Sequence, residues 1–115
     1  MTCTQLETAL KAALETARDK TGVVFHLLAP AGVTEYLVWA EYNLTEVRGD
    51  DRCQVQILRV QIDAYTQDDT PVESNTFFQA VLGVLDALEL CYGVQECGYD
   101  PDAASVRLII QCDVA

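Results

Sequence analysis

The alternation between Leu58 and Tyr65 constrains this chain more than any other stretch. Successive side chains of an extended backbone point to opposite faces. Leu58, Val60, Ile62 and Ala64 therefore share one face, and Arg59, Gln61, Asp63 and Tyr65 share the other. The pattern predicts a strand over about 54–67 with one core face and one wet face. A sheet with such an apolar face must be covered. In 115 residues there is room for one core, so residues 1–115 form a single domain that supplies its own cover.

Two amphipathic helices can supply it. Thr4 and Glu7 form a capping-box pattern, and Leu6, Ala9, Leu10, Ala13, Leu14 and Ala17 then recur at helical spacing. Gly22, just after Lys20, suits the stop. A second capping box, Thr70-Pro71-Val72-Glu73, predicts a helix with Pro at its first position. Its stripe is Phe78, Val81, Leu82, Leu85 and Leu88, widened by Phe77 and Val84.

Other strands are expected at 23–28, at 35–43, and in a hairpin of 94–99 with 105–114. The last alternates cleanly, with Val106, Leu108, Ile110, Cys112 and Val114 inward and Arg107, Gln111 and Asp113 outward. Residues 44–52, with Arg48-Gly49-Asp50-Asp51-Arg52, read as a turn or long hairpin tip. The expected fold is α+β: a two-layer sandwich with a mainly antiparallel sheet of about four strands and two helices on one face.

The charge excludes one class of function. Eighteen acidic residues against seven basic give a formal −11, the wrong sign for a protein that grips nucleic acid or an anionic membrane. No apolar run approaches the roughly 20 residues that a membrane-spanning helix needs. No secretory signal pattern opens the sequence, so the five cysteines (Cys3, Cys53, Cys91, Cys97 and Cys112) are expected as reduced thiols, several of them core fillers.

Candidate chemistry is sparse. His26, the single histidine, sits in an apolar run without the context of a nucleophile and an orienting carboxylate, and reads as a core or edge histidine. The carboxylate pairs Asp50-Asp51 and Asp68-Asp69 read as solvated turn and cap residues rather than as acid/base or cation-binding pairs. No phosphate-binding, HExxH or EF-hand pattern is present. Neither catalysis, a cofactor nor a metal site is expected. Tyr65, on the wet face of its strand, is an interface candidate.

Three segments carry a resemblance: Tyr36-Leu37-Val38-Trp39 after a Pro-Gly-containing turn, Val60-Gln61-Ile62-Asp63-Ala64-Tyr65-Thr66 before a helix, and Gly98-Tyr99-Asp100-Pro101-Asp102 before Arg107-Leu108-Ile109-Ile110. The succession resembles the small tail terminator (tail completion, or minor tail) proteins of long-tailed bacteriophages and prophages. The acidity and the cysteines of the last third are not part of that pattern. The resemblance implies a structural virion assembly protein. Such subunits form a ring, expected to be a hexamer, that caps the tail tube and joins it to the head connector.

Partners implied are the chain itself, the tail tube protein and the head-connector protein, with DNA only as passing cargo. Assembly in the bacterial host cytoplasm would be followed by a place at the head-proximal end of the virion tail. Our candidates for ring contacts or lumen lining are Arg48, Asp50, Asp51, Arg52, Arg59, Asp63, Tyr65 and Arg107. The competing reading is a small acidic binding module, an immunity protein or inhibitor presenting carboxylates to a basic partner.

Overall fold

The alternating strand is the axis of the sheet. The structure, a computed structural model, describes the backbone of residues 1–49 and 52–114, and the side chains of all of these but 43–57. Five strands, β1 (Val24–His26), β2 (Tyr36–Gly49), β3 (Arg52–Thr66), β4 (Tyr92–Asp100) and β5 (Ser105–Asp113), lie in the order β1-β2-β3-β5-β4. β1 runs parallel to β2, and every other neighbouring pair is antiparallel. The expected α+β sheet thus has five strands, the brief β1 completing one edge.

The inner face carries Leu37 and Trp39 from β2, Val60, Ile62 and Ala64 from β3, and Leu108, Ile110 and Cys112 from β5, all buried. Both helices, α1 (Cys3–Lys11) and α2 (Thr76–Ala87), pack on that face. Leu6, Leu10, Leu14, Phe77, Phe78, Val81 and Leu85 fill the space between the layers. Each of these side chains gains about 1.5–3 kcal/mol from leaving water. Among the described residues no helix is long and apolar enough to cross a membrane.

The helix ends differ from the sequence expectation in instructive ways. α1 is capped by Thr2 with Gln5, not by Thr4 with Glu7: Gln5 N–H donates to Thr2 Oγ1 (3.1 Å) and Thr2 N–H to Gln5 Oε1 (2.7 Å). Glu7 is taken up elsewhere, accepting a hydrogen bond from Trp39 Nε1 at 2.9 Å. A π-type turn, Ala12–Thr16, continues the helix. Glu15 on this turn accepts hydrogen bonds from the Val23 and Val24 N–H groups (3.1 and 2.9 Å), tying the helix to the start of β1.

The stop is not Gly22 but Asp19, in the left-handed region at φ 53°, with Lys20 N–H returning to Glu15 O and Asp19 N–H to Thr16 O. α2 ends the same way: Glu89 sits at φ 56° while Leu90 N–H reaches Leu85 O and Glu89 N–H reaches Asp86 O.

The start of α2 is likewise displaced. Thr70 does not cap it, because its hydroxyl and N–H both donate to Asp68 Oδ1. Pro71 is extended (φ −52°, ψ 148°), Val72–Ser74 form one tight 3₁₀ turn, and Asn75 is the N-cap. The Asn75 side chain is fully buried and satisfied: Oδ1 accepts from Phe78 N–H, and Nδ2 donates to the Asp68 and Thr70 carbonyls. A buried amide with three partners outcompetes a surface hydroxyl for the cap.

Glu35, just before β2, joins the layers at one end. It accepts from Arg18 Nη2 (2.5 Å) and from the buried Thr66 hydroxyl (2.9 Å), with Lys20 Nζ at 3.5 Å. Burial pushes its carboxyl up. The hydrogen bonds from Arg18 and Thr66 and the charges of Arg18 and Lys20 outweigh burial and hold it below the usual carboxylate range.

Three outcomes are expected in denaturant titrations. Asn75→Ala lowers stability by about 1–3 kcal/mol, well beyond the effect of Thr70→Ala. Glu89→Gly raises it by roughly 0.5–1 kcal/mol, because glycine adopts the left-handed backbone without a Cβ clash. Glu35→Gln loses stability at neutral pH. A carboxyl whose folded pKa is depressed stabilises above its ordinary value and loses that contribution as pH falls through the folded value. The gap between wild type and Glu35→Gln therefore closes on acidification below about pH 4.5; a gap that persists unchanged there would contradict the assignment.

Candidate functional site

The wet face of the sheet is less wet than its sequence suggests. In the β2–β3–β5 register Tyr36 lies opposite Tyr65, and Tyr65 opposite Arg107. The Tyr36 and Tyr65 rings stack with centroids 4.7 Å apart and planes 17° from parallel. The Arg107 guanidinium lies over the other side of this pair, 5.7 Å from the Tyr65 ring centroid. Its Nη2 donates to Asp63 Oδ2 at 2.7 Å, and Gln61 donates to Asp63 Oδ1 at 3.1 Å.

Arg107 Nε is buried without a partner. The Asp63 hydrogen bond pushes the guanidinium above its ordinary value. Burial pushes both phenols up, so both tyrosines are neutral across the physiological range.

Four of the eight sequence candidates thus lie on this face. Asp63, Tyr65 and Arg107 form one cluster. Arg59 stands apart, four residues down β3 from Asp63, and pairs with Asp113 (Nε–Oδ1 3.1 Å) where both side chains are substantially exposed. Tyr36 and Tyr65 lie on different strands, and only the register makes them stacking partners. Sequence reading missed Leu27 and Leu28. With Ala29, Tyr36, Val38, Asp63 and Tyr65 they line a shallow cavity of about 260 Å³ beside the stack.

The other four candidates belong to a ribbon. β3 pairs with β5 only over Arg59–Thr66, and β1 covers only Leu37–Trp39 of β2. From Asn43 to Gly49, β2 pairs with β3 alone, as far as Arg48 with Cys53 and Gly49 with Arg52. At about 3.3 Å per residue this two-stranded ribbon extends roughly 20 Å past the five-stranded body. Irregularities at Glu41/Asn43 and Val47/Arg48 bend it. Arg48 and Arg52 are therefore strand residues at its far end, while Asp50 and Asp51 lie outside the described residues.

Other chemistry is placed as follows. His26, at the end of β1, stacks on Trp39 (4.1 Å between centroids) and its Nε2 lies 2.6 Å from Glu41 Oε1, an edge histidine held by a carboxylate and an indole. Cys3 has its thiol pushed up by burial and by Glu41, the reverse of an activated nucleophile. Cys112, in the core, is pushed up by burial to about 12. Asp68 binds Thr70, a local turn contact, as described above. Among the described residues no three His, Cys, Asp or Glu side chains gather where they could hold a metal ion.

A second concavity, about 540 Å³, lies between the helices and is lined by Ala9, Ala13, Ala80, Gly83, Ala87 and their neighbours. The geometry on the outer face suits contact with another macromolecule: aromatic surface, one internally neutralised ion pair, and apolar side chains at the margin. Comparison of the sequence with models of protein families and with curated proteins gives no match.

The Asp63–Arg107 pair is testable within the subunit. A double-mutant cycle of Asp63→Asn and Arg107→Met is expected to give a coupling of about 1 kcal/mol that shrinks with added salt. A coupling indistinguishable from zero in low salt would show that the pair is incidental to stability.

Proposed function

We propose that the chain is a structural subunit that caps the tail tube of a long-tailed bacteriophage as a ring and joins it to the head connector. The observation that carries this reading is the β2–β3 ribbon. A two-stranded ribbon standing off its domain is marginal in water and gains stability by lying against something else. A rigid two-layer body with such an arm is what a ring subunit needs to reach its neighbour or the tube beneath. Support also comes from the three sequence segments that resemble tail terminators. They fall on β2, on β3 and on the β4–β5 hairpin. We assign the chain no catalytic role, since the outer-face cluster offers contact chemistry and no nucleophile–base pair.

The acidity fits a conduit better than a clamp. Each basic side chain described (Lys11, Arg18, Lys20, Arg59 and Arg107) already meets a carboxylate of its own chain. None is left over for a phosphate. Carboxylates facing a lumen would repel passing DNA within a screening length of about 8 Å.

The decisive experiment adds purified protein to tail tubes assembled without a terminator and scores capped length and head joining by electron microscopy. The wild-type chain is expected to stop elongation. A variant whose residues 44–57 are replaced by a short Gly-Ser turn is expected to keep its circular-dichroism spectrum and lose capping. Full capping by that variant would remove the ribbon from the mechanism. No capping by the wild type, with tight binding of the monomer to a basic protein, would establish the acidic binding module instead.

A further inference from the structure

Two rows of side chains cross the outer face of the sheet in register. One runs Tyr36–Tyr65–Arg107–Gly98 through β2, β3, β5 and β4, and the other runs Val38–Asp63–Ile109–Glu96 beside it. Both helices pack on the opposite face, and no described helix or strand lies over either row. Tyr36, Val38, Tyr65 and Ile109 are nonetheless half-buried, an apolar strip laid across four strands.

The strip ends in two unlike cavities. At the β2 end, Leu27 and Leu28 join Tyr36, Val38 and Tyr65 around the shallow cavity of about 260 Å³. The chain leaves β1 there through a tight turn, with Leu28 N–H closing onto His26 O at 2.8 Å and Leu27 at φ 70°. This strained backbone holds both leucines in water, 64% and 82% exposed. They offer apolar area that a partner would withdraw from solvent.

At the β4 end, Gly98 interrupts the row. A Cβ built there meets no atom within 4 Å, so the bare backbone floors an open cavity of about 270 Å³. Glu96, Asp100 and Asp102 border it with Arg107 and Ile109. The charge of Arg107 is already matched by Asp63 at 2.7 Å. Among the described residues the other three carboxylates have no ion-pair partner. Asp100 accepts the Asp102 N–H at 3.0 Å, which fixes the turn and leaves its charge in place.

The two ends select one kind of occupant. The β2 end suits a large apolar side chain, while the β4 end attracts a cation and repels a carboxylate. Three strand spacings, roughly 14 Å, separate β2 from β4. An extended segment covers that distance in about four residues, and residues four apart point the same way. A second copy matches poorly, because Lys11, Arg18, Lys20, Arg59 and Arg107 each meet a carboxylate of their own chain.

We propose that the outer face docks an extended segment of another protein, carrying a large apolar side chain and, about four residues away, a Lys or Arg. The apolar group packs between Leu28 and the tyrosine stack. The segment then crosses Tyr65 and Ile109, and its cation reaches the carboxylates around Gly98. The ribbon takes no part in this contact, which goes beyond tube capping and holds with or without it.

The test titrates three synthetic Gly-Ser peptides into isotope-labelled full-length protein and follows backbone amide resonances. Each peptide carries one Phe and one Arg, spaced two, four or six residues apart. Resonances of Leu27, Leu28, Tyr36, Tyr65, Gly98 and Asp102 are expected to move, with the four-residue spacing binding most tightly. Replacing its Arg with Glu is expected to abolish binding.

Three variants of the protein locate the contact. Glu96→Lys/Asp102→Lys changes two exposed side chains and is expected to weaken binding on the order of tenfold or more, most strongly in low salt. Gly98→Phe fills the acidic cavity from its floor and is expected to do the same while keeping the circular-dichroism spectrum. Leu28→Ser is expected to weaken binding without altering its salt dependence. Equal binding of the Glu peptide, no preference among the spacings, or no shift with any peptide at millimolar concentration would overturn the proposal. So would concentration-dependent shifts of the same residues without peptide, which would make a second copy the occupant.

Discussion

Burial of one face of β3 from Val60 to Thr66 is the constraint on which the rest of the molecule depends. Val60, Ile62 and Ala64 are inaccessible to water, which requires a strand on each side and a layer above. β2 and β5 supply the flanks, and their own inner residues, Leu37, Trp39, Leu108 and Ile110, extend the apolar surface until two helices are needed to cover it. A slip of one residue in either register would turn the Asp63–Arg107 pair into the core and Ile62 out to solvent. The outer cluster is therefore fixed by the inner one. Tyr36, Tyr65, Asp63 and Arg107 meet because their neighbours on the same strands cannot be anywhere else.

That dependence explains what could be read from the sequence. Period-two patterns report burial on one face of a strand, so the inward sets of β3 and β5 were legible, as were the helix stripes. Caps were less so. Thr4 with Glu7 and Thr70 with Glu73 satisfy the local pattern, yet Glu7 is drawn off by the Trp39 indole and Thr70 by Asp68. Which of two plausible caps is used depends on tertiary partners that sequence spacing does not contain. Asp19 at the first helix stop shows the same thing: a carboxylate residue holds the left-handed position where Gly22 was the local expectation.

The outer-face site was half legible for a related reason. Asp63, Tyr65 and Arg107 could be assigned to wet faces strand by strand, but their convergence is a property of register. β4 is the sharper case. Val94 and Tyr99 alternate like core residues and face the side on which a core lies, yet they are exposed because the helix layer meets β4 at Tyr92, whose hydroxyl donates to Asp86 of α2, and leaves the rest of that face of the strand uncovered. A periodic pattern says which way a side chain points. It does not say whether anything stands there to meet it.

The net charge takes on a more local meaning in this setting. Carboxylates near the helix ends and the ion-pair cluster are matched by Arg18, Lys20, Arg59 and Arg107. Glu96 and Asp102, on β4 and its turn, meet no cation among the described residues, and Asp100 accepts from the Asp102 N–H and adds to the field around Arg107, Tyr36 and Tyr65. The acidic surplus is therefore felt at a free edge as well as in the total. Edge strands that carry charge resist indiscriminate pairing with other sheets.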